Sequence, residues 1–75
     1  MDPNTKIVGE IKNGNIIISI SEFNGKKFLD IRKFFKDDNE ELQPTKKGIA
    51  MNKEQFEGVL GVLNENKEEI KKLLD

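Results

Sequence analysis

The chain contains neither cysteine nor histidine. The first absence excludes disulfide staples and thiolate chemistry. The second removes the commonest metal ligand and the commonest general base. Long apolar runs are missing as well. The longest is Ile16-Ile17-Ile18, far short of the roughly 20 residues a membrane-spanning helix needs. Met1-Asp2-Pro3-Asn4 has neither the cationic start nor the apolar stretch of a secretory leader. The expectation is a soluble intracellular protein, nuclear in a eukaryote and cytoplasmic in a bacterium or phage. Its 75 residues allow one domain, and a domain this small buries only about 60% of the surface its unfolded chain exposes. Without a covalent staple, oligomerisation is the remaining route to extra stability.

Enzymatic constellations are missing too. The paired acids Asp37/Asp38 and Glu40/Glu41 sit in a hydrophilic stretch where nothing raises a carboxylate pKa. They lack calcium-loop spacing, which requires a central glycine and a closing glutamate. No Gly-rich phosphate loop precedes a helix. The chain is therefore expected to be no enzyme and to carry no metal or other cofactor.

What is present centres on Asn15 to Phe35, two β-prone runs joined at Asn24-Gly25. That dipeptide suits a two-residue type I′ hairpin, because both central positions need positive φ. Ile16, Ile18 and Ile20 fall on one face by period-two alternation, with Ile17, Ser19, Ser21 and Phe23 on the other. In the second run Leu29, Ile31, Lys33 and Phe35 share a face; Lys26, Phe28, Asp30, Arg32 and Phe34 share the other. Each run thus has an apolar face for a core and a face mixing aromatic, cationic and small polar residues; Phe28, although on the mixed face, is expected to be core.

On either side the pattern extends to a meander. Residues 1–5 are expected to be a loose end, with one domain over 6–75. Lys6 to Lys12 reads as a short strand with Ile7 and Ile11 inward and a bulge at Gly9. Asn13-Gly14 supplies a second turn. Beyond the charged stretch Lys36–Glu41, Leu42 to Met51 offers a fourth, irregular strand, and Pro44 places its segment at an edge or before the strand begins. Asn52 then opens a helix as N-cap, with Gln55 completing a capping box and Met51 able to staple onto Phe56. Phe56, Val59, Leu60, Leu63, Ile70, Leu73 and Leu74 recur at helical spacing. The fold expected is α+β: a four-stranded antiparallel sheet followed by one C-terminal helix.

Such a helix, from Lys53 to Leu74, would run about 33 Å against a sheet under about 20 Å wide. Its last turns overhang. A second copy of the chain is the economical cover, unless the helix breaks at Asn64-Glu65-Asn66. Gly58 and Gly61 are either tolerated surface glycines or points of close approach by another element. With Ile70, Leu73 and Leu74 they are the candidate contacts of a homodimer.

The net charge is −1, unevenly spread. Residues 1–36 hold seven Lys/Arg against four Asp/Glu, a balance of +3, while residues 37–75 hold six against ten, a balance of −4. Exposed charges are screened beyond about 8–10 Å, so a basic sheet keeps a local positive field beside an acidic helix. Cations beside exposed rings are the combination by which proteins bind single-stranded nucleic acid. Phe23 with Lys26 across the turn is the candidate for it; Arg32 lies two residues before Phe34 and three before Phe35, rings that a core reading would bury, and Lys46-Lys47 before Gly48 either clamp phosphates or simply keep an edge soluble.

The run from Ile17 to Phe35, then Gln43-Pro44-Thr45-Lys46-Lys47-Gly48-Ile49, then Asn52-Lys53-Glu54-Gln55-Phe56, resembles the single-stranded-DNA-binding core of the transcriptional coactivator called positive cofactor four. The likeness covers roughly residues 14–74. It implies a curved four-stranded sheet with a C-terminal helix, paired into a homodimer that binds single-stranded DNA or melted duplex. Carried over by position, Phe23 and Phe35 are the stacking aromatics, the latter in place of a tryptophan, and Lys26, Arg32 and Lys47 hold phosphates, with Lys46 beside them. Asn24, Gln43 and Gly14 stand where the family typically has lysine, so a weaker salt dependence is expected, with Asn24 and Gln43 still at the contact surface. The family's Ser- and Lys-rich regulatory tail has no counterpart in these residues, a feature similar to bacterial and phage members, in which replication or recombination is as fitting a role as transcription. The rival expectation is a protein-interaction module recruiting replication or transcription factors through its acidic helix. RNA stands beside DNA as a ligand, since no group that reads a 2′-hydroxyl is identifiable.

Overall fold

The computed structural model describes residues 5–75. Strands β1 (Lys6–Ile11), β2 (Ile16–Phe23), β3 (Lys26–Lys36) and β4 (Leu42–Met51) form one antiparallel sheet in the order β1-β2-β3-β4. Helices α1 (Lys53–Glu65) and α2 (Lys67–Leu74) follow. Of the loose end expected over residues 1–5, residues 1–4 lie outside the described residues. Among the described residues no helix is long and apolar enough to cross a membrane.

The central ribbon forms as its sequence dictates. Asn24 and Gly25 both take positive φ, 52° and 76°, the type I′ geometry whose twist matches that of the flanking strands. The turn sets Phe23 opposite Lys26, and the pairing runs unbroken to Ile16 opposite Lys33. The other expected two-residue turn is longer. Lys12 to Asn15 separates β1 from β2, and the positive φ values fall on Gly14 and Asn15 rather than on Asn13. The Asn15 N–H donates to the Lys12 carbonyl at 3.2 Å.

β1 carries the expected bulge, its register shifting between Ile7 and Gly9. Its isoleucines do not point into a core, contrary to the sequence reading: Ile7, Val8 and Ile11 are all exposed. β1 is an edge strand, and α1 packs instead on β3 and β4. That leaves very little fully enclosed. Ile17 and Met51, each 4% exposed, are the only apolar residues buried outright among those described. Phe28 is half-buried and lines the hollow between sheet and helix with Ile18, Ile20, Leu29, Met51 and Phe56.

Asn52 caps α1 as its sequence predicts. Its side-chain oxygen accepts from the Gln55 N–H at 2.8 Å, and the Gln55 side-chain oxygen accepts from the Asn52 N–H at 3.0 Å. The single long helix is not what forms. It breaks at Asn66, which sits at φ −112° and ψ 15°. The Asn66 side-chain amide donates to the Val62 carbonyl at 2.9 Å, the same oxygen that takes its backbone N–H at 3.1 Å. Such local side-chain bonding competes with the helical ladder and is why asparagine weakens helix interiors. The break does not cover the overhanging tail: Leu73 and Leu74 remain 77% and 81% exposed.

The cap yields a direct test. Asn52→Ala removes the side-chain half of the capping box, the bond from the Gln55 N–H, and is expected to lower unfolding free energy by about 1 kcal/mol. A urea titration followed by circular dichroism measures it; an unchanged midpoint would mean that the box contributes nothing.

Candidate nucleic-acid interface

The predicted contact residues occupy three stations along the β2–β3–β4 surface. The first is the hairpin tip. Phe23 is the last residue of β2 and is 71% exposed. Lys26, its cross-strand partner, and Asn24 in the turn are exposed beside it. A large ring at a two-residue turn, next to a lysine, is held out to solvent by the backbone itself.

The second station surrounds Arg32. Its Nε and Nη2 donate to the two carboxylate oxygens of Asp30 at 3.0 Å each, and its Nη1 donates to the Thr45 carbonyl at 2.7 Å. The Asp30 hydrogen bond, aided by Asp30's charge and opposed by slight desolvation, holds the guanidinium above its usual pKa. Three of its five N–H donors are therefore committed, and Asp30 offsets its charge. Gly48 lies opposite Arg32 in the register and makes room for it. A Cβ at Gly48 would come within 2.8 Å of Arg32 Cζ and 2.9 Å of its Cβ and Cγ.

This clamp closes over an irregularity in β4. The register passes from Arg32 opposite Gly48 to Phe34 opposite Pro44, so Lys33 alone faces the three residues Thr45, Lys46 and Lys47. Thr45 Oγ1 donates to the Lys33 carbonyl at 2.8 Å and accepts from the Lys47 N–H at 3.0 Å. The extra residues bulge outward from the edge strand, and Lys46 and Lys47 project from it into solvent.

The third station is the far end of the ribbon. Phe35, 50% exposed, pairs with Gln43 on β4. Gln43 Nε2 donates to Asp37 Oδ2 at 3.0 Å, while Asp37 Oδ1 accepts the N–H groups of Asn39 and Glu41 at 2.9 and 3.0 Å. The Glu41 N–H is the main reason the Asp37 carboxyl sits below its usual pKa; desolvation opposes it, and Gln43 and Asn39 add to it. Lys33, exposed and two residues before Phe35, lies on the same strand face.

Phe23 and Phe35 are not brought together. Alternation along the continuous ribbon sets them on opposite nominal faces, and the nine residue steps from Lys26 to Phe35 correspond to about 30 Å of strand. Two neighbours of Phe35, Lys33 and Asp37, were absent from the sequence-derived set, although period two marks both. Of the candidate homodimer contacts, Gly58 and Gly61 have open space where a Cβ would stand, Ile70 is half-buried, and Leu73 and Leu74 project into solvent. Gly58 shares an apolar hollow with Ile49, Met51, Val59, Val62 and Leu63.

A four-stranded meander closed by a C-terminal helical segment, with exposed rings and cations spaced along its central ribbon, is the class of protein these features define. The chain belongs to the transcriptional coactivator p15 (PC4) family, whose profile matches residues 11–61. It is also similar to a solved structure, the bacteriophage T5 homolog of the eukaryotic transcription coactivator PC4, which is implicated in recombination-dependent DNA replication. The two share 28% sequence identity and superpose with a TM-score of 0.57, over 99% of this chain and 93% of that one.

Two predictions follow from the clamp and the loop. Gly48→Ala forces the Arg32 side chain and its strand apart and is expected to cost about 1–3 kcal/mol of stability, read as a lower denaturation midpoint. Asp37's pKa is depressed in the folded chain, so the order it gives the β3–β4 loop is full above the usual carboxylate range and is lost as pH falls through the lowered value. Amide exchange at Asn39 and Glu41, measured relative to the intrinsic rate at each pH, should therefore become less protected on acidification in the wild type. In Asp37→Asn it should be faster at neutral pH than in the wild type.

Proposed function

We propose that this chain is a single-stranded DNA-binding protein that acts as a homodimer, without catalysis and without a cofactor, in replication, recombination or transcription. The observation that carries the reading is Phe23, a ring 71% exposed at the hairpin tip with Lys26 directly across from it. Family membership supports it, and so does the described role of the phage relative in recombination-dependent replication.

In this reading unpaired bases stack on Phe23 and Phe35, each stack contributing about 1–3 kcal/mol with little regard to sequence. Lys26, Lys33, Lys46 and Lys47 meet the phosphates, with Asn24 as a neutral neighbour at the tip. Arg32 shapes the β4 bulge that presents Lys46 and Lys47, and its two uncommitted N–H groups are what it has left for a phosphate. With so few free cations the salt dependence is shallow. Homodimerisation draws its support from the apolar surface a single copy leaves open, including Ile49, Val62, Leu63, Leu73 and Leu74. A second reading, recruitment of replication or transcription proteins by the acidic helical segment, rests on the same exposed leucines beside Glu68 and Glu69.

Fluorescence anisotropy with a dT oligomer of about 20 nucleotides and a duplex of equal length, at low and moderate salt, tests the first reading. Tighter binding of the single strand is expected, weakening as salt rises. Phe23→Ala should weaken it about fivefold or more at unchanged circular dichroism, and light scattering should return twice the subunit mass. Equal affinity for duplex, or no binding at about 50 mM salt, would sink it. Lys46→Ala/Lys47→Ala separates the two readings: DNA binding falls, whereas capture of a protein by the helices survives.

A further inference from the structure

Arg32 stands opposite Ile17 on β2 and opposite Gly48 on β4. Alternation along β2 puts Ile17 on one face with Ser19, Ser21 and Phe23. That face is turned away from Ile18, Ile20, Leu29 and Ile31, which line the hollow under α1. The guanidinium therefore belongs to the same sheet face as the exposed ring at the hairpin tip. The six residue steps from Ile17 to Phe23 correspond to about 20 Å of strand, and the bulge that carries Lys46 and Lys47 begins beside Gly48. A DNA backbone passing from the tip toward those lysines crosses the position of Arg32.

Asp30 already holds that position. Two residues back on the same face, its two carboxylate oxygens accept from Arg32 Nε and Nη2 at 3.0 Å each. A guanidinium fork matches a carboxylate and a phosphate alike, so Asp30 fills a place that a backbone phosphate would take. The Thr45 carbonyl, 2.7 Å from Nη1, orients the group and leaves its charge in place. Asp30 stands opposite Ser19 and Ala50, neither of them cationic, and Arg32 is its one ion-pair partner among the described residues. The Arg32 and Asp30 side chains are 25% and 19% exposed, so a ligand can reach the pair.

Two routes lead a phosphate to Arg32, and Asp30 opposes both. Displacing Asp30 exchanges one ion pair for another and leaves a part-buried carboxylate unpaired beside the incoming phosphate, which is costly. Joining the two uncommitted N–H groups means approaching a pair whose charges cancel. In neither case does the strand meet a net cation, and the counterion release that favours binding depends on net cations. We propose that Asp30 sets the DNA affinity of this surface: as an internal counterion it withholds Arg32 from backbone phosphates, and neutralising it adds one phosphate contact. This rests on the single-stranded DNA reading above and deepens it. Because the effect falls on the phosphate backbone, it is independent of base sequence.

The test is fluorescence anisotropy with a dT oligomer of about 20 nucleotides across a salt series, for the wild type and two variants. Asp30→Asn keeps the shape and one oxygen acceptor while removing the charge. It is expected to bind about fivefold more tightly at about 0.1 M salt and to steepen the dependence of log affinity on log salt by about 0.7, one added phosphate contact on a single strand. In the double variant Asp30→Asn/Arg32→Gln the site is again neutral, so affinity and slope should return to the wild-type values. Circular dichroism checks that each variant is folded; where the amide does not fold, Asp30→Ser carries the same expectations. Unchanged or weaker binding by a folded Asp30→Asn overturns the proposal and makes Asp30 an orienting group for Arg32. A gain that persists in the double variant overturns it as well, since the effect then does not pass through Arg32. Both results leave single-strand binding standing. Failure of the wild type to bind the oligomer overturns the single-strand reading and this one with it.

Discussion

The pairing of β2 with β3 is the constraint on which the rest of this molecule depends. Its register is set by Asn24 and Gly25, two residues that accept positive φ without strain. A slip of one residue would send every side chain of a strand to the other face. Ile18 and Ile20 would leave the helix side, Arg32 would no longer lie over Gly48, and Phe23 would lose its place beside Lys26. With so small a core, packing alone offers little to restore the register. The turn and the ladder hold it, and the capped α1 then covers the face that the register has chosen.

Built on that register, the Arg32 clamp changes how the surface charge should be counted. By sequence Arg32 is one of the cations of the basic half. In the fold it is engaged by Asp30 and by the Thr45 carbonyl, and its effect passes through the backbone: the clamp spans β3 and β4 beside the three-residue bulge from which Lys46 and Lys47 extend. A buried or half-buried ion pair contributes little net stability because desolvation opposes the attraction. What this one provides is geometry, with Gly48 as the complementary vacancy.

How much of this was legible beforehand divides along physical lines. Features encoded by short-range chemistry were readable: the Asn-Gly turn at residues 24–25, the Asn52–Gln55 box, the bulge at Gly9, and the order of four strands and a helical segment. Features decided by competition or by tertiary context were not. The sequence left a break at Asn64-Glu65-Asn66 open beside the single long helix, and the choice depended on the Asn66 side-chain amide taking a helix carbonyl. The exposure of Ile7 and Ile11 depended on where α1 comes to rest. The engagement of Arg32 by Asp30 is visible in the i, i+2 spacing only once both are known to lie on one strand face with Gly48 opposite. Asp37 was read as part of a solvated acidic loop because nothing in the linear sequence ties it to Gln43, six positions away.

The exposed apolar residues fall into two kinds, and the difference bears on what each surface meets. Ile49, Val59, Val62 and Leu63 are contiguous around α1 and the end of β4, with no lysine or arginine among the residues lining that hollow. A patch of that kind is relieved by another apolar surface. Phe23 stands apart from it, a single ring flanked by a lysine and a neutral amide, and Phe35 stands between a lysine and a carboxylate–amide pair. A solitary aromatic face with polar groups around its edge is poorly matched to an apolar protein surface, which would leave those groups unpaired, and well matched to a flat heterocycle with hydrogen-bonding edges and a charged backbone. Phe23 lies on the face opposite Leu29 and Ile31, which line the hollow under α1, whereas Phe35 shares their strand face; contact through the helix side would leave the hairpin-tip ring available. At the hairpin tip, then, a polar-rimmed ring and the apolar hollow beside α1 are separate surfaces of one sheet.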